Sequence, residues 1–520
     1  MKYSINTITL AIISTIYIII LNSITYHSFK DLYYVVPIAI LFFVLLLIFR
    51  LFGKIVFKLA ISAFIFLASI AIFFKWRYGV VITSDIILSG LINNRSLTAE
   101  MISINLIIWV FVTAIVPIVI IIFINIKKVN FFTYFKSIVA SFVLVFLLLY
   151  IQGYHYRAKG QIREYKTIYA IENFSPVDVI YNYRVAKREL KTIQKEYKDT
   201  KVDIKDYTSE YNNSLVVIII GETSRGDRFG INGYNKNTNP NLSKLSNLYS
   251  FKNAKSCDTL TINSMHYIFS KRECKEYNPT VKGAAFTQIF KALGYKIDIY
   301  SLQGLDAFYR YLGYDKLIGK YQIVKEQQVG TKDIALLPYL KKDINSYKGG
   351  KKIIIAHTLG SHQTYADRLS KRYIKFKPIC KNADVKKCKK ANLDNTFDDT
   401  IVAVDDFLYQ TINILKDKNA MLVYFSDHGE SLGENGIYFH GAPVKSAPKE
   451  QFDVPIMFWF SNKYKKRAEY KNFVANFNKF KGLNITHDYL YHSILGCGGI
   501  KSKNIKKSLN MCKNNQNLIQ

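Results

Sequence analysis

The sequence predicts two parts: an α-helical membrane domain of five transmembrane helices over residues 1–155, and an α/β domain with a doubly wound, mostly parallel sheet over residues 211–500. Three observations predict this. Five runs of about 20 mostly apolar residues crowd the first third of the chain, each the length a helix needs to cross a bilayer. All six cysteines fall in the remaining two thirds. From residue 215 onward, short runs fit for buried strands alternate with amphipathic segments fit for helices. A connector over residues 156–210 and a basic tail over residues 501–520 complete the division.

The apolar runs occupy residues 5–25, 33–52, 55–75, 104–125 and 132–152. An odd number of spans puts the two ends of the chain on opposite sides. With the N-terminus in the cytoplasm, the inner loops hold Lys2, Arg50, Lys54, Lys58, Lys127, Lys128 and Lys136, and the outer loops hold Lys30, Lys75, Arg77 and Arg95. Basic residues in short loops mark the cytoplasmic side, so everything after about residue 155 is expected outside. The first run is long, lacks a small-residue cleavage site and is followed closely by others; it reads as a retained span rather than a signal peptide.

Cysteine usage is an independent argument for that topology. Cys257, Cys274, Cys380, Cys388, Cys497 and Cys512 form an even set in the outer part, and an even set in an oxidising compartment suggests disulfides. Sequence proximity favours Cys257 with Cys274, Cys380 with Cys388 and Cys497 with Cys512, and no C-x-x-C spacing favours zinc. The formal net charge is +33, of which residues 1–155 contribute +8 and the rest +25. In the cytoplasm such a charge would suit nucleic acid. Placed outside, it excludes that partner and suits an anionic membrane surface or a phosphorylated lipid. Lys, Asn, Ile and Tyr are abundant throughout, so part of the excess is compositional.

The connector is polar, basic and rich in Tyr, with helical patterns such as VAKRELKTIQKEYK, and suits the bilayer interface. Beyond it, the runs Leu215 to Ile220, Lys296 to Tyr300, Lys352 to Ala356 and Met421 to Phe425 read as buried strands, with amphipathic segments at 284–293 and 399–416 between them. The tail is basic and Asn-rich, a loose end tied by Cys512.

Open α/β sheets gather their chemistry at the C-terminal ends of their strands. Here the first strand runs into Glu222, Thr223, Ser224 and Arg225, the third ends at His357 with His362 five residues on, and the fourth runs into Asp427 and His428, with His440 twelve residues later. Any one of these groups alone is ordinary polarity; three strand ends delivering Glu, His and Asp-His to one edge is a candidate metal site. Glu222, Asp427 and His428 offer carboxylate and imidazole donors, which suit zinc or manganese better than calcium. Thr223, Ser224, Thr259, Thr261 and Ser264 are candidate nucleophiles, the last three lying just before or at the start of a predicted helix, where they could equally cap it.

GETSRGDRFGINGYNKNTNP at 221–240, SCDTLTINSMHYIFS at 256–270, AHTLGSHQTY at 356–365 and SDHGESLGENGIYFHGAP at 426–443 resemble the phosphoethanolamine transferases that modify lipid A, within the alkaline phosphatase/sulfatase superfamily. The resemblance covers nearly the whole chain, because that family also has five membrane helices and a periplasmic domain. It implies an α/β domain of sulfatase type, on the periplasmic side of a Gram-negative inner membrane. It further implies a Zn2+ site, with Mn2+ possible, held by Glu222, Thr261, Asp427 and His428, and Thr261 as the nucleophile. His362 and His440 become contacts of the transferred phosphoryl group or of a second zinc, and Cys380–Cys388 matches a family disulfide. The implied reaction moves phosphoethanolamine from phosphatidylethanolamine to an envelope acceptor, lipid A phosphate first, through a covalent threonine intermediate in a monomer.

Several positions depart from the family pattern. The family's CGT is Cys257-Asp258-Thr259 here, its second cysteine is Tyr267, and its HGPxY is shortened to His362-Gln363-Thr364-Tyr365. A cysteine-bearing loop after the second strand is replaced by SLQGLDAFYRY, where no ligand is assigned. The loop Tyr78 to Met101, with Ser89, Asn93 and Glu100, is a candidate site for the donor headgroup. The competing readings are a phosphoglycerol transferase of the same superfamily and a metal-binding envelope scaffold without turnover.

Overall fold

Apolar side chains on every face, with charged residues only in the turns near their ends, make the membrane helices. They span Thr7–Ser23, Phe29–Leu51, Lys54–Tyr78, residues 104–123 and Phe131–Arg157. The computed structural model describes residues 4–26, 29–92, 101–157, 171, 173–199, 203–276, 283–304, 306–319 and 332–513. Four helices, Asp31–Leu51, Lys54–Tyr78, Ile104–Phe123 and Phe131–Gln152, are long and apolar enough to cross a membrane. The first, Thr7–Ser23, is equally apolar but has 17 residues, the lower end of the spanning range. Its start is set by Asn6, whose side chain accepts from the Thr9 amide at 2.8 Å.

Polar groups join the membrane helices where apolar burial against lipid gains nothing. The helix over 104–123 makes one π-turn, Phe111–Ile115, and inside it the Thr113 carbonyl accepts the Tyr17 hydroxyl at 2.7 Å. The Thr113 hydroxyl meets Ser69 at 2.6 Å, and the Trp109 indole donates to the Ser69 carbonyl at 2.9 Å. These bonds tie three helices together. By contacts this unit comprises Met1–Ile87 and Ile102–Lys187; a second comprises Leu88–Met101 and Arg188–Gln520.

The second unit is built on a seven-stranded sheet. Its strands are β1 (Ser214–Gly221), β2 (Leu248–Ser250), β3 (Lys296–Ser301), β4 (Lys316–Ile318), β5 (Lys351–His357), β6 (Ala420–Ser426) and β7 (Ile456–Phe460), in the order β2-β7-β6-β1-β5-β3-β4. The five strands from β6 to β4 are parallel, and β7 and β2 close one edge antiparallel. All eight residues of β1 are buried, as a central strand covered on both faces requires. Three of the strands, β2, β4 and β7, have no counterpart among the four expected runs. β2 and β4 are three residues long, too short for a pattern, whereas β7, IMFWF, carries its own apolar signal. The expected helix at 399–416 begins at Lys390 and ends at Leu415.

Residues 500–513 are no loose end: Ile500 pairs with Ser209, and Ile505, Met511 and Cys512 are buried in the main core. Disulfides join Cys257 to Cys274, Cys380 to Cys388 and Cys497 to Cys512. The last of these closes a loop of sequence separation 15. Replacing both cysteines by alanine is expected to cost about 3 kcal/mol, read as a lower midpoint in urea unfolding.

Candidate active site

Register brings the site together. β1 pairs with β6 so that Gly221 faces Ser426, and with β5 so that Ile220 faces His357. The residues following each pair therefore emerge side by side, and the Asp427 amide donates to the Gly221 carbonyl at 3.1 Å. Glu222, Asp427 and His428 are all buried to within 1% of full exclusion. Thr261 enters from the first turn of the helix Thr261–Phe269, whose N-cap position is Leu260 and carries no side-chain cap. The amides at that end are left to whatever the site holds.

The donor atoms lie close. Thr261 Oγ is 3.3 Å from Glu222 Oε2 and 3.3 Å from His428 Nε2, and His428 Nε2 is 3.3 Å from both Glu222 Oε1 and Asp427 Oδ2. A separation of 3.3 Å is the edge of a tetrahedron whose centre lies about 2.0 Å from each corner, the zinc–nitrogen and zinc–oxygen bond length, and each of these four contacts has it. Asp427 Oδ1 accepts the amides of Thr223 and His428, while Oδ2 is buried without a hydrogen-bond donor among the described residues. His428 Nδ1 donates to the Gly429 carbonyl at 2.9 Å, which fixes the tautomer and leaves the Nε2 lone pair for a cation.

The charge balance agrees with that geometry. Burial disfavours a charged His428, yet Asp427 and Glu222 outweigh it and push the imidazole up to about 10. Burial and the neighbouring Glu222 raise the Asp427 carboxyl. The cluster's own preference is for positive charge at its centre, which a divalent cation satisfies while taking His428 neutral. The donor set thus fits a metal.

Close packing holds the ligands. A Cβ on Gly429 would sit 2.1 Å from the Glu450 carbonyl oxygen, and one on Gly360 2.4 Å from that of Glu222. Gly429→Ala is therefore expected to destabilise the protein by about 3 kcal/mol and to displace His428, read as a lower unfolding midpoint together with weaker metal binding. Three of the four non-glycine residues with positive φ among the described residues, Thr223, Thr364 and Phe439, flank Glu222, His362 and His440. Such backbone strain concentrates at functional sites. Arg225 is buried in ion pairs of 2.7 Å to Asp227 and Glu434, clamping the GETSR loop to the loop after His428.

Beside the candidate metal ligands lie two more histidines. The His440 ring is 4.4 Å from His428 and 5.5 Å from His362, centre to centre. Glu222, His428 and His440 each offer a ligand atom within 4.8 Å of the others. His440 Nδ1 bonds Glu430 Oε2 at 2.7 Å, and Tyr365 donates to Glu430 Oε1 at 2.6 Å. Glu430 and Tyr365 were assigned no role from sequence, although both stand inside the quoted motifs. Burial pushes the Glu430 carboxyl up to about 8, against the lowering pull of the Tyr365 bond. One proton is shared along the bond between Glu430 Oε2 and His440 Nδ1, and it holds the His440 ring in place.

The remaining candidates fall apart from the cluster. Thr259 donates its hydroxyl to the Ala442 carbonyl, Thr223 to that of Glu222, and Ser264 to that of Asp258. Asp258, the departure from the family's glycine, accepts the amides of Thr259 and Leu260 and holds the approach to Thr261. His357 bonds Tyr309 through Nδ1 at 2.6 Å. Ser89 lies in the helix Ser84–Ile92, while Asn93 and Glu100 fall outside the described residues. At the end of that loop, the Met101 sulfur is 2.7 Å from Gln363 Nε2, next to His362.

The candidate site thus lies at the strand ends of a mostly parallel α/β sheet of the type found in the sulfatase family. The chain belongs to that family, whose model matches residues 214–500. Residues 39–189 match the model described as phosphoethanolamine transferase EptA/EptB. The chain is 35% identical over 310 residues to the Kdo(2)-lipid A phosphoethanolamine 7''-transferase of Escherichia coli K12, covering 58% of this chain and 54% of that protein. It thus spans about half the length of that curated relative. To phosphatidylethanolamine transferase Mcr-1 of Escherichia coli it is 28% identical over 473 residues, 84% of each chain. Its fold is that of the integral membrane lipooligosaccharide phosphoethanolamine transferase A from Neisseria meningitidis, with TM-score 0.83 and 21% identity over 98% of this chain and 99% of that one. The chain is a multi-pass inner-membrane protein with its α/β domain in the periplasm.

Proposed function

We propose that this protein transfers phosphoethanolamine from phosphatidylethanolamine to a phosphate of lipid A, with Thr261 as the nucleophile. The observation that carries the reading is Thr261 Oγ at 3.3 Å from both Glu222 and His428, at the uncapped start of a helix. Glu222, Asp427 and His428 would hold the cation, Zn2+ rather than Mn2+ on the tetrahedral spacing and the imidazole donor. When bound, that cation lowers the pKa of the threonine hydroxyl and draws charge from the phosphoryl oxygens.

Thr261 Oγ gives up its proton and attacks phosphorus, the bond to the glyceride oxygen breaks, and that oxygen takes up a proton as diacylglycerol departs, leaving the phosphoethanolamine group on threonine. An acceptor phosphate then attacks the same phosphorus and frees Thr261. His440, oriented through Glu430, and His362 donate to the phosphoryl oxygens as charge develops. The free amides at the start of the Thr261 helix act on the same charge. The loop ending at Met101 supports a donor-headgroup site beside Gln363, with Ser89, Asn93 and Glu100 as its candidate polar groups. Both substrates are membrane lipids, which accounts for tethering an α/β domain to membrane helices.

The test is mass spectrometry of lipid A from cells expressing the chain or its Thr261→Ala variant. The reading expects a phosphoethanolamine increment with the first and none with the second. An increment that survives Thr261→Ala overturns the nucleophile. No increment with either overturns lipid A as the acceptor.

A further inference from the structure

We propose that Gln303, three residues beyond the tyrosine that ends the expected β3 run, is a positioning residue for the metal ligand Glu222, an inference that rests on the metal reading above. Gln303 is 3% exposed and stands in the loop that replaces the family's cysteine-bearing segment. Its Nε2 donates to Glu222 Oε2 at 2.5 Å and to the Thr358 carbonyl at 3.1 Å. Two acceptors at one end of the amide fix its orientation, because only the NH2 group can serve both. Both of its hydrogens are then committed.

The consequence falls on Glu222. Oε2 is the oxygen that accepts Thr261 Oγ, while Oε1 faces His428 Nε2. A carboxylate reached by a donor on one oxygen cannot rotate freely about its last torsion, so Gln303 decides which lone pairs point to the cation and which to the nucleophile.

Gln303 is itself anchored. Its backbone amide donates to Ser301 Oγ at 3.1 Å, Ser301 Oγ donates back to its backbone carbonyl at 2.9 Å, and the Leu302 amide donates to the His357 carbonyl at 2.9 Å. Ser301 Oγ also bonds the Tyr309 hydroxyl, which bonds His357 Nδ1. A continuous buried network thus runs from the end of β5, through the end of β3, to the residue after β1, three strands adjacent in the sheet. The amide has no electronic role in the reaction; it sets the rotamer of a ligand.

The experiment uses the full chain in detergent, stripped with a chelator and titrated with Zn2+ against a chromophoric competitor, and the thermal midpoint of each stripped protein is recorded alongside. Gln303→Met keeps the volume and removes the donor; Gln303→Asn keeps the amide but shortens its reach. Both are expected to weaken Zn2+ binding by about 10- to 100-fold with the stripped midpoint near wild type. Wild-type affinity in a folded Gln303→Met or Gln303→Asn overturns the proposal. So does a loss of affinity only in step with a lowered stripped midpoint, the mark of a merely structural role. If the wild type itself binds no Zn2+, the metal reading falls and takes this inference with it, a result distinct from either of the others.

Discussion

Thr261→Ala is expected to abolish phosphoethanolamine transfer, by a factor on the order of 10⁴ or more, in a protein that still folds. Of the five hydroxyls that the sequence leaves open, Thr223, Thr259 and Ser264 are committed to backbone carbonyls, and Ser224 meets Ser361 at 3.3 Å. Only Thr261 faces Glu222 and His428. No neighbour can take its place without breaking a bond that shapes the site. Thr261→Ser keeps the oxygen at the helix start and should retain measurable transfer, because the β-methyl it lacks does no chemistry. The comparison also separates an enzyme from a scaffold: a scaffold would keep its phenotype in both variants.

Removing the metal is expected to lower the thermal midpoint of the α/β domain in the full chain by roughly 6 °C, from about 4 kcal/mol of linkage at a thousandfold excess over Kd. Without a cation, the buried Glu222 and Asp427 carboxylates each stand 3.3 Å from His428. One imidazolium then has to offset two buried carboxylates, a poorer return on their desolvation than a divalent cation gives. Restoring Zn2+ should restore the midpoint. Asp427→Asn gives the complementary result: with one charge fewer the stripped protein is at least as stable as wild type, but its midpoint no longer responds to Zn2+. Differential scanning fluorimetry of both proteins, stripped and reloaded, reads these outcomes side by side.

The central strands and their ends were legible because fully buried parallel strands leave continuous apolar runs, and β1, β5 and β6 each end within two residues of a polar group. The membrane helices were legible for the same reason, composition over length. What escaped did so for identifiable causes. β2 and β4 are three-residue edge strands whose pairing is decided by tertiary neighbours rather than by pattern. Gln303 stands just beyond Ser301 at the end of β3, but a glutamine is neither a titrating group nor a usual metal ligand, so its residue type carries no signal. Glu430 lay in plain sight within SDHGES, but its tie to His440 spans a turn whose geometry depends on Phe439 in a left-handed conformation. No pattern of residue types announces that.

The most direct test of the account is the covalent intermediate. Purified full chain loaded with Zn2+ is incubated with phosphatidylethanolamine and no acceptor, quenched, digested and examined by peptide mass spectrometry. The account predicts a phosphoethanolamine increment on the peptide carrying Thr261, absent from Thr261→Ala and from chelator-treated protein, and discharged when lipid A is added. An increment on any other residue, or turnover to modified lipid A with Thr261 never labelled, would contradict it.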